Sequence, residues 1–318
     1  MQVYNNQKFP YQVRHVWGYL LPKWLFQSRL EEKIAKYHKN HPEQSEYIQQ
    51  RVDYYCKLQN TTSLPASALV LGDFRFDKKY HFSYFFDTYQ YLKYFPNTSR
   101  FCCEYGDIVT VPPFPTIVKS RPIGDDNENS ILLKLNRFRH FNFIKDTIPF
   151  AKKADKLVGR GFLYQKKRID FYTKWFGTRL CDLGQVNPEP VHNEAWLQKK
   201  MSRREHLNYK FILCLEGNDV ATNLKWVMLT NSLAVMPRPH YETWFMEAKL
   251  IPNYHYVAIA DDYSDLEERL EYYMAHQDEA QQLIDHAKAY VSQFLDFERE
   301  DIISLLVLKK YFEKTGQR

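Results

Sequence analysis

The chain has 318 residues, a formal net charge of +6, 44% hydrophobic residues and 26% charged ones. This is ordinary globular composition, which excludes global disorder, and the length accommodates two ordinary domains or one large one. The Lys and Arg excess is spread along the chain and fits an anionic small partner or surface; no nucleic-acid module occurs, so no nucleic-acid partner is expected.

Aromatic residues reach 16%, with 24 Tyr and 22 Phe, enough to pack cores, line a sugar or base pocket, or form an interface. Cys56, Cys102, Cys103, Cys181 and Cys214 are too irregularly spaced for a disulfide framework or a zinc site. They predict reduced, mostly buried thiols in a cytoplasmic chain. The start, MQVYNNQKFPYQVRHVWGYLLPKWLFQ, lacks the apolar core of a signal peptide, and no stretch approaches the ~20 apolar residues that span a bilayer. A soluble or peripheral protein is expected.

From Tyr11 to Tyr54, WLFQSRLEEKIAKYH and EQSEYIQQRVDYYCKL show helical spacing of apolar residues. NTTSLPASA is a turn-rich break, and YFFDTYQYLKYFP reads as a short helix ended by Pro96. DIVTVPPFPTIVKSRPI has β-branched runs separated by prolines, as short strands do. NSILLKLNRFRHFNF fits a helix capped near Asn129 or a strand, with helix the expectation at its start. IKDTIPFAKKADKL has little periodicity and reads as a linker.

A regular alternation follows. KLVGRGF predicts a strand and KKRIDFYTKWF a helix; Phe211 to Leu215 predicts a strand and Ala221 to Thr230 a helix. Ser232 to Met236 reads as a strand, Tyr241 to Lys249 as a helix and Tyr254 to Ile259 as a strand. Ser264 to Leu295 reads as helical, with Ser264 and Glu267 placed as a capping box. A β-α-β-α-β run of this kind predicts a parallel sheet covered by helices.

Open parallel sheets bind ligands beyond the carboxyl ends of their strands, where helix N-termini favour phosphate. Here that end carries Gly217, Asn218, Asp219, Thr222 and Lys225. The group suits a diphosphate, and equally a capped helix after a glycine turn. Glu242 in PRPHYETWFME is either a carboxylate at a helix N-terminus or an acceptor of sugar hydroxyls, flanked by Tyr241 and Trp244. Asp261 and Asp262 read as capping residues. GRGFLYQKKR places Arg160, Gly161 and Arg168 after an apolar run, and arginine forks suit phosphate oxygens. Asp107, in EYGDIVTVPPFP, is either a turn residue or a proton acceptor at a strand end.

GNDVATNLKW, SLAVMPRPHYETWF, YHYVAI and DYSDLEE together resemble glycosyltransferase family 90, which includes lipopolysaccharide-modifying, capsule-associated and protein O-glucosylating enzymes. PTIVKSRPI, NSILLKLN, RHFNFI and DKLVGRG resemble its bacterial lipopolysaccharide branch, and the likeness runs from about Asp53 to the C-terminus. The resemblance implies an α/β protein of GT-B fold, with two Rossmann-like domains facing a cleft. It implies an acceptor-binding domain over 1–151, a nucleotide-sugar-binding domain over 152–300 and a C-terminal helix over 301–318. It also implies inverting, metal-independent transfer of a hexose or pentose from a UDP-sugar, with no cofactor, to a lipopolysaccharide core or other glycan acceptor.

By the same resemblance Asp107 is the catalytic base. Arg160, Gly161, Arg168, Gly217, Asn218, Asp219, Thr222, Lys225 and Glu242 bind the donor. One departure stands out. The glycine-led loop of the family's eukaryotic members, G-x-x-x-S-x-R-x-K, has Ala221 and Asn223 here at its serine and arginine; if that arginine grips the diphosphate in relatives, another group must do so in this chain, with Arg160, Arg168 and Lys225 the candidates. Val16 to Lys39, with Trp17 and Trp24, would allow peripheral contact with the inner face of the cytoplasmic membrane. The rival expectations are a metal-dependent transferase using Asp125-Asp126 or Asp261-Asp262, and a non-catalytic glycan- or membrane-surface-binding protein.

Overall fold

The computed structural model describes residues 16–77 and 81–317; the part of the first helical stretch before Val16 lies outside them. The longer helices are α1 (Leu30–Asn40), α2 (Ser45–Tyr55), α3 (Phe82–Leu92), α4 (Lys166–Trp175), α5 (Leu266–Ala275), α6 (Gln277–Ser292) and α7 (Phe297–Lys314). The strands are β1 (Leu69–Val70), β2 (Arg100–Phe101), β3 (Cys103–Glu104), β4 (Thr116–Val118), β5 (Ser120–Pro122) and β6 (Ser130–Leu132). They continue with β7 (Ala154–Gly161), β8 (Cys181–Gln185), β9 (Tyr209–Leu213), β10 (Leu233–Met236), β11 (Tyr241–Thr243) and β12 (Val257–Ala258). Elements and sheets are thus α/β with parallel pairing, as expected.

The chain divides into two compact units, each discontinuous in sequence. The first holds His140–His240 and Glu247–Gln293. Its five strands are all parallel, in the order β12-β10-β9-β7-β8. Counted from β7, this is the doubly wound order 2-1-3-4-5, whose direction reverses between β7 and β9. The middle strands are apolar on both faces because helices cover both sides: Leu157, Phe211, Leu233, Val235 and Val257 are at most 1% exposed. They pack with Phe171 of α4, Leu266 and Leu270 of α5, and Ala280 and Ile284 of α6. Each Val, Leu, Ile or Phe among them contributes roughly 1.5–3 kcal/mol by leaving water.

The second unit holds the remaining described residues, including Tyr241–Met246 and those from Phe294 onward. It contains a parallel sheet β3-β4-β6 and the antiparallel pairs β1-β2 and β5-β11. At its centre, the fully buried Glu300 of α7 accepts from Lys134 (3.1 Å) and from the indole N–H of Trp244 (2.6 Å), with Arg51 at 3.0 Å. Burial works to raise the Glu300 pKa, but Arg51 and Lys134 outweigh it and hold the carboxyl below its usual range.

Several local expectations are corrected. Residues 241–249 form β11 and a 3₁₀ turn, Glu247–Lys249, because β5 supplies Tyr241–Thr243 with a strand partner distant in sequence. The start of NSILLKLN is β6, not a helix, since β4 pairs with it from Thr116 to Val118. The helix after β9 is one turn, Leu224–Val227. The proposed capping box at Ser264 is absent: Asp265 is the N-cap, and Ser264 donates to Asp262 instead (2.7 Å). The linker reading of 144–157 also fails. Asp146 is buried there, accepting from Lys153 (2.8 Å) and the backbone N–H of Asn231 (2.8 Å).

Candidate active site

The reversal of strand order opens a crevice at the carboxyl ends of β7 and β9, and this is where open α/β sheets take ligands. Arg168, in the first turn of α4, ties the two loops there together. Its Nε donates to the Glu216 carbonyl, Nη2 to that of Leu215 and Nη1 to that of Phe162, each at 3.0 Å. Gly217 makes room for this close approach. A Cβ on it would sit 3.2 Å from Arg168 Nη2, tight enough that the guanidinium would have to shift by a few tenths of an ångström. Gly161 faces the same group at 3.9 Å. Gln165 completes the bridge by donating to Asn218 Oδ1 (2.8 Å).

Beside this bridge lies a recess of about 200 Å³, lined by Lys167, Glu216, Met236, Arg238, Asp261 and Tyr263 among others. Glu216 organises one wall. It accepts from Lys167 Nζ (2.9 Å) and from the backbone N–H of His240 (2.9 Å), with His240 Nδ1 at 3.1 Å. Tyr263 stands in a left-handed conformation (φ 62°) and donates to the Lys167 carbonyl (3.0 Å); burial pushes its phenol up to about 12, so it remains a donor at neutral pH. Arg238, just past the end of β10, is exposed and has no hydrogen bond or ion pair among the described residues.

The sequence-predicted donor residues divide between crevice and scaffold. Gly161, Arg168, Gly217 and Asn218 meet at the crevice. Arg160 turns to β8, with Nη2 on Asp182 Oδ1 (2.6 Å) and Nη1 on the Asp182 carbonyl (2.7 Å). Burial would raise the Asp182 pKa, but the Tyr209 hydroxyl and Arg160 outweigh it and hold the carboxyl below its usual value. Lys225 is fully buried and lies 2.5 Å from Glu247. Asn223, at the motif's arginine position, donates to the Leu213 carbonyl and holds the end of β9 (2.9 Å). Asp219 is buried and Thr222 half-buried.

Asp107 and Glu242 belong to the second unit. The Asp107 side chain is 34% exposed and lies 2.6 Å from the buried ammonium of Lys119. Glu242 lies on β11 rather than at a helix start, 2% exposed, accepting from Arg121 Nε (2.8 Å) and the Tyr54 hydroxyl. Burial and this carboxylate push the Tyr54 phenol far above its usual range. Sequence reading assigned no site role to Glu216, Arg238 or Tyr263. The signal for Arg238 was present in PRPH, a cation directly after a buried strand.

Residues 177–313 match the family described as glycosyl transferase family 90. The chain is also 41% identical, over 310 residues, to the O-glucosyltransferase LpsA of Dichelobacter nodosus. That alignment covers 96% of this chain and 95% of the relative. The chain belongs to glycosyltransferase family 90. It is a glycosyltransferase, with a sugar donor and a glycan acceptor as its reactants. The family match spans β8 to β12 and all of the recess lining except Lys167, while Asp107, Arg160 and Arg168 precede its first residue.

All five cysteines of this family 90 chain are free, and Cys56, Cys181 and Cys214 are buried, where desolvation raises their pKa values and keeps the thiols unreactive. Among the described residues, no helix is long and apolar enough to cross a membrane.

Proposed function

We propose that this family 90 enzyme is a GT-B glycosyltransferase that moves a hexose or pentose from a UDP-sugar to a hydroxyl of a lipopolysaccharide or capsule glycan. Transfer proceeds with inversion and without a metal ion. The observation that carries this reading is the recess at the carboxyl ends of β9 and β10, with Arg238 unengaged and Lys167 beside it. The N-terminus of α4 faces the same end of the sheet, and its amide dipoles add to the positive potential that a diphosphate requires.

In this reading the acceptor oxygen attacks the anomeric carbon as the bond from that carbon to the β-phosphate oxygen breaks. The electron pair leaves with UDP, and Asp107 takes the hydroxyl proton. Arg238 and Lys167 meet the charge that develops on the leaving phosphate. Arg168, already committed to three carbonyls, acts by holding the Gly217 loop rather than by gripping phosphate. Glu216, on the recess wall, takes the ribose hydroxyls, the role first assigned to Glu242.

The name of the LpsA relative makes glucose the first donor sugar to try. Trp17, Leu20 and Trp24 are 66–68% exposed, which supports peripheral contact with the inner face of the cytoplasmic membrane. The test is a UDP-release assay over a panel of UDP-sugars with a deep-core oligosaccharide acceptor, run in excess chelator. Acceptor-dependent UDP release from one donor supports the proposal; activity only with a divalent ion, or only with a non-uridine donor, overturns it.

A further inference from the structure

The first unit carries a second, larger cavity, of about 680 Å³, at the opposite end of its strands. Its walls are the 142–148 loop and the single turn Arg203–His206, which leads directly into the amino end of β9. The same loop is bonded to the residue before β10's approach: Asn231 donates from its backbone to Asp146 (2.8 Å) and from its side chain to the Ile148 carbonyl (2.9 Å). The cavity therefore lies at the amino ends of β9 and β10, away from the recess around Arg238.

Cations outnumber acids on its lining, three to the single carboxylate of Asp146. Lys145, Arg203 and Arg204 line it, and among the described residues none of them is paired with a carboxylate. Asp146 on the lining and Glu205 beside it both have other partners. Asp146 accepts from Lys153 (2.8 Å), Asn231 (2.8 Å) and the Ile148 N–H (3.0 Å). Glu205 turns back on Ser202 in a capping box.

Arg203 is half-buried: it donates to the Asn142 carbonyl and stacks over the Trp226 ring at 5.8 Å. Desolvation lowers its pKa with no carboxylate to offset the loss. Partly desolvating a guanidinium without an anion is unfavourable, and a bound anion reverses that cost. Its remaining N–H donors also match phosphate geometry.

We infer that this cavity binds a phosphate group, through Arg203 as a planar donor and Lys145 and Arg204 as flanking charges. The phosphate is carried either by an anionic lipid headgroup or by a soluble phosphorylated compound, and the site is independent of the donor recess.

The Arg203 Nε–Hε resonance, followed by side-chain NMR during titration with inorganic phosphate, reads the site directly. A saturable shift is expected, and the double variant K145Q/R204Q, altered only at exposed positions, should weaken it about tenfold, the loss of roughly one charge-assisted contact. The Arg238→Gln variant should titrate like the wild type. Co-sedimentation with phosphatidylglycerol-containing vesicles, compared with neutral phosphatidylcholine vesicles, separates the two sources. Binding to the anionic vesicles that K145Q/R204Q abolishes assigns a headgroup; no vesicle binding alongside saturable phosphate binding assigns a soluble ligand. An Arg203 resonance that does not shift saturably, or equal phosphate affinity in wild type and double variant, overturns the inference.

Discussion

Lys225 Nζ lies 2.5 Å from Glu247 Oε1, and neither side chain is more than 1% exposed. The pair joins the turn after β9 to the 3₁₀ turn that precedes β12, so the lysine reads as a strut within the first unit. Removing one partner takes this ion pair away from a charge that stays buried. Lys225→Met should destabilise the protein by about 3–5 kcal/mol, whereas K225M/E247L should recover most of that loss. Urea denaturation of both variants checks this. A Lys225→Met protein of normal stability but poor UDP affinity would return the lysine to the donor site.

The lysine also shows what sequence could and could not reveal. β9 and β10 were readable because FILCL and LAVM are apolar on both faces, and β7 and α4 because a strand run turns into a clear helical period. β11 was not, since Tyr241–Thr243 is a strand only through β5, more than a hundred residues earlier, while Trp244 and Phe245 imitate a helical stripe. Cations were the harder problem. A sequence lists Arg160, Arg168, Lys225 and Arg238 as equals; only the fold shows the first three engaged by Asp182, by loop carbonyls and by Glu247. Asp146 illustrates the same point, because a segment held by polar bonds has no apolar period to detect.

Arg238 carries the most direct test of the donor recess. Because the side chain is exposed and unbonded, Arg238→Gln should leave urea stability within about 0.5 kcal/mol of wild type. UDP affinity should fall about tenfold or more, the loss of one charge-assisted contact to phosphate. Calorimetric titration with UDP and with uridine separates the effects: the variant should lose affinity for UDP and not for uridine. Equal losses for both ligands would move Arg238 away from the diphosphate.

Asp107 is held by Lys119 at 2.6 Å, which orients one carboxylate oxygen and leaves a partly exposed group. If it accepts the acceptor proton, Asp107→Asn should reduce kcat by about a hundredfold to ten-thousandfold while donor affinity stays unchanged. Lys119→Met should give a smaller kcat loss with an altered pH profile, because it removes the orienting charge and not the proton acceptor. An Asp107→Asn enzyme with normal turnover removes the carboxylate from the mechanism.

His255 gives the first unit a pH dependence whose sign follows from its surroundings. Burial, with the charge of His286 beside it, pushes the imidazole down to about 4 from 6.5. The geometry agrees: Nδ1 accepts the Ile251 backbone N–H at 2.9 Å, a bond that protonation of that nitrogen would break. Between these two values the unfolded chain holds a proton on His255 that the folded chain does not, so stability rises with pH across this window and is complete above 6.5. Acidification from 6.5 towards 4 should therefore weaken the fold, with a slope that includes up to one proton from this residue. His255→Gln keeps an oxygen to accept from Ile251 and removes the titration, so its denaturation midpoint should fall less steeply over the same range. Parallel pH curves for the two proteins would mean that the folded imidazole titrates as it does in the unfolded chain.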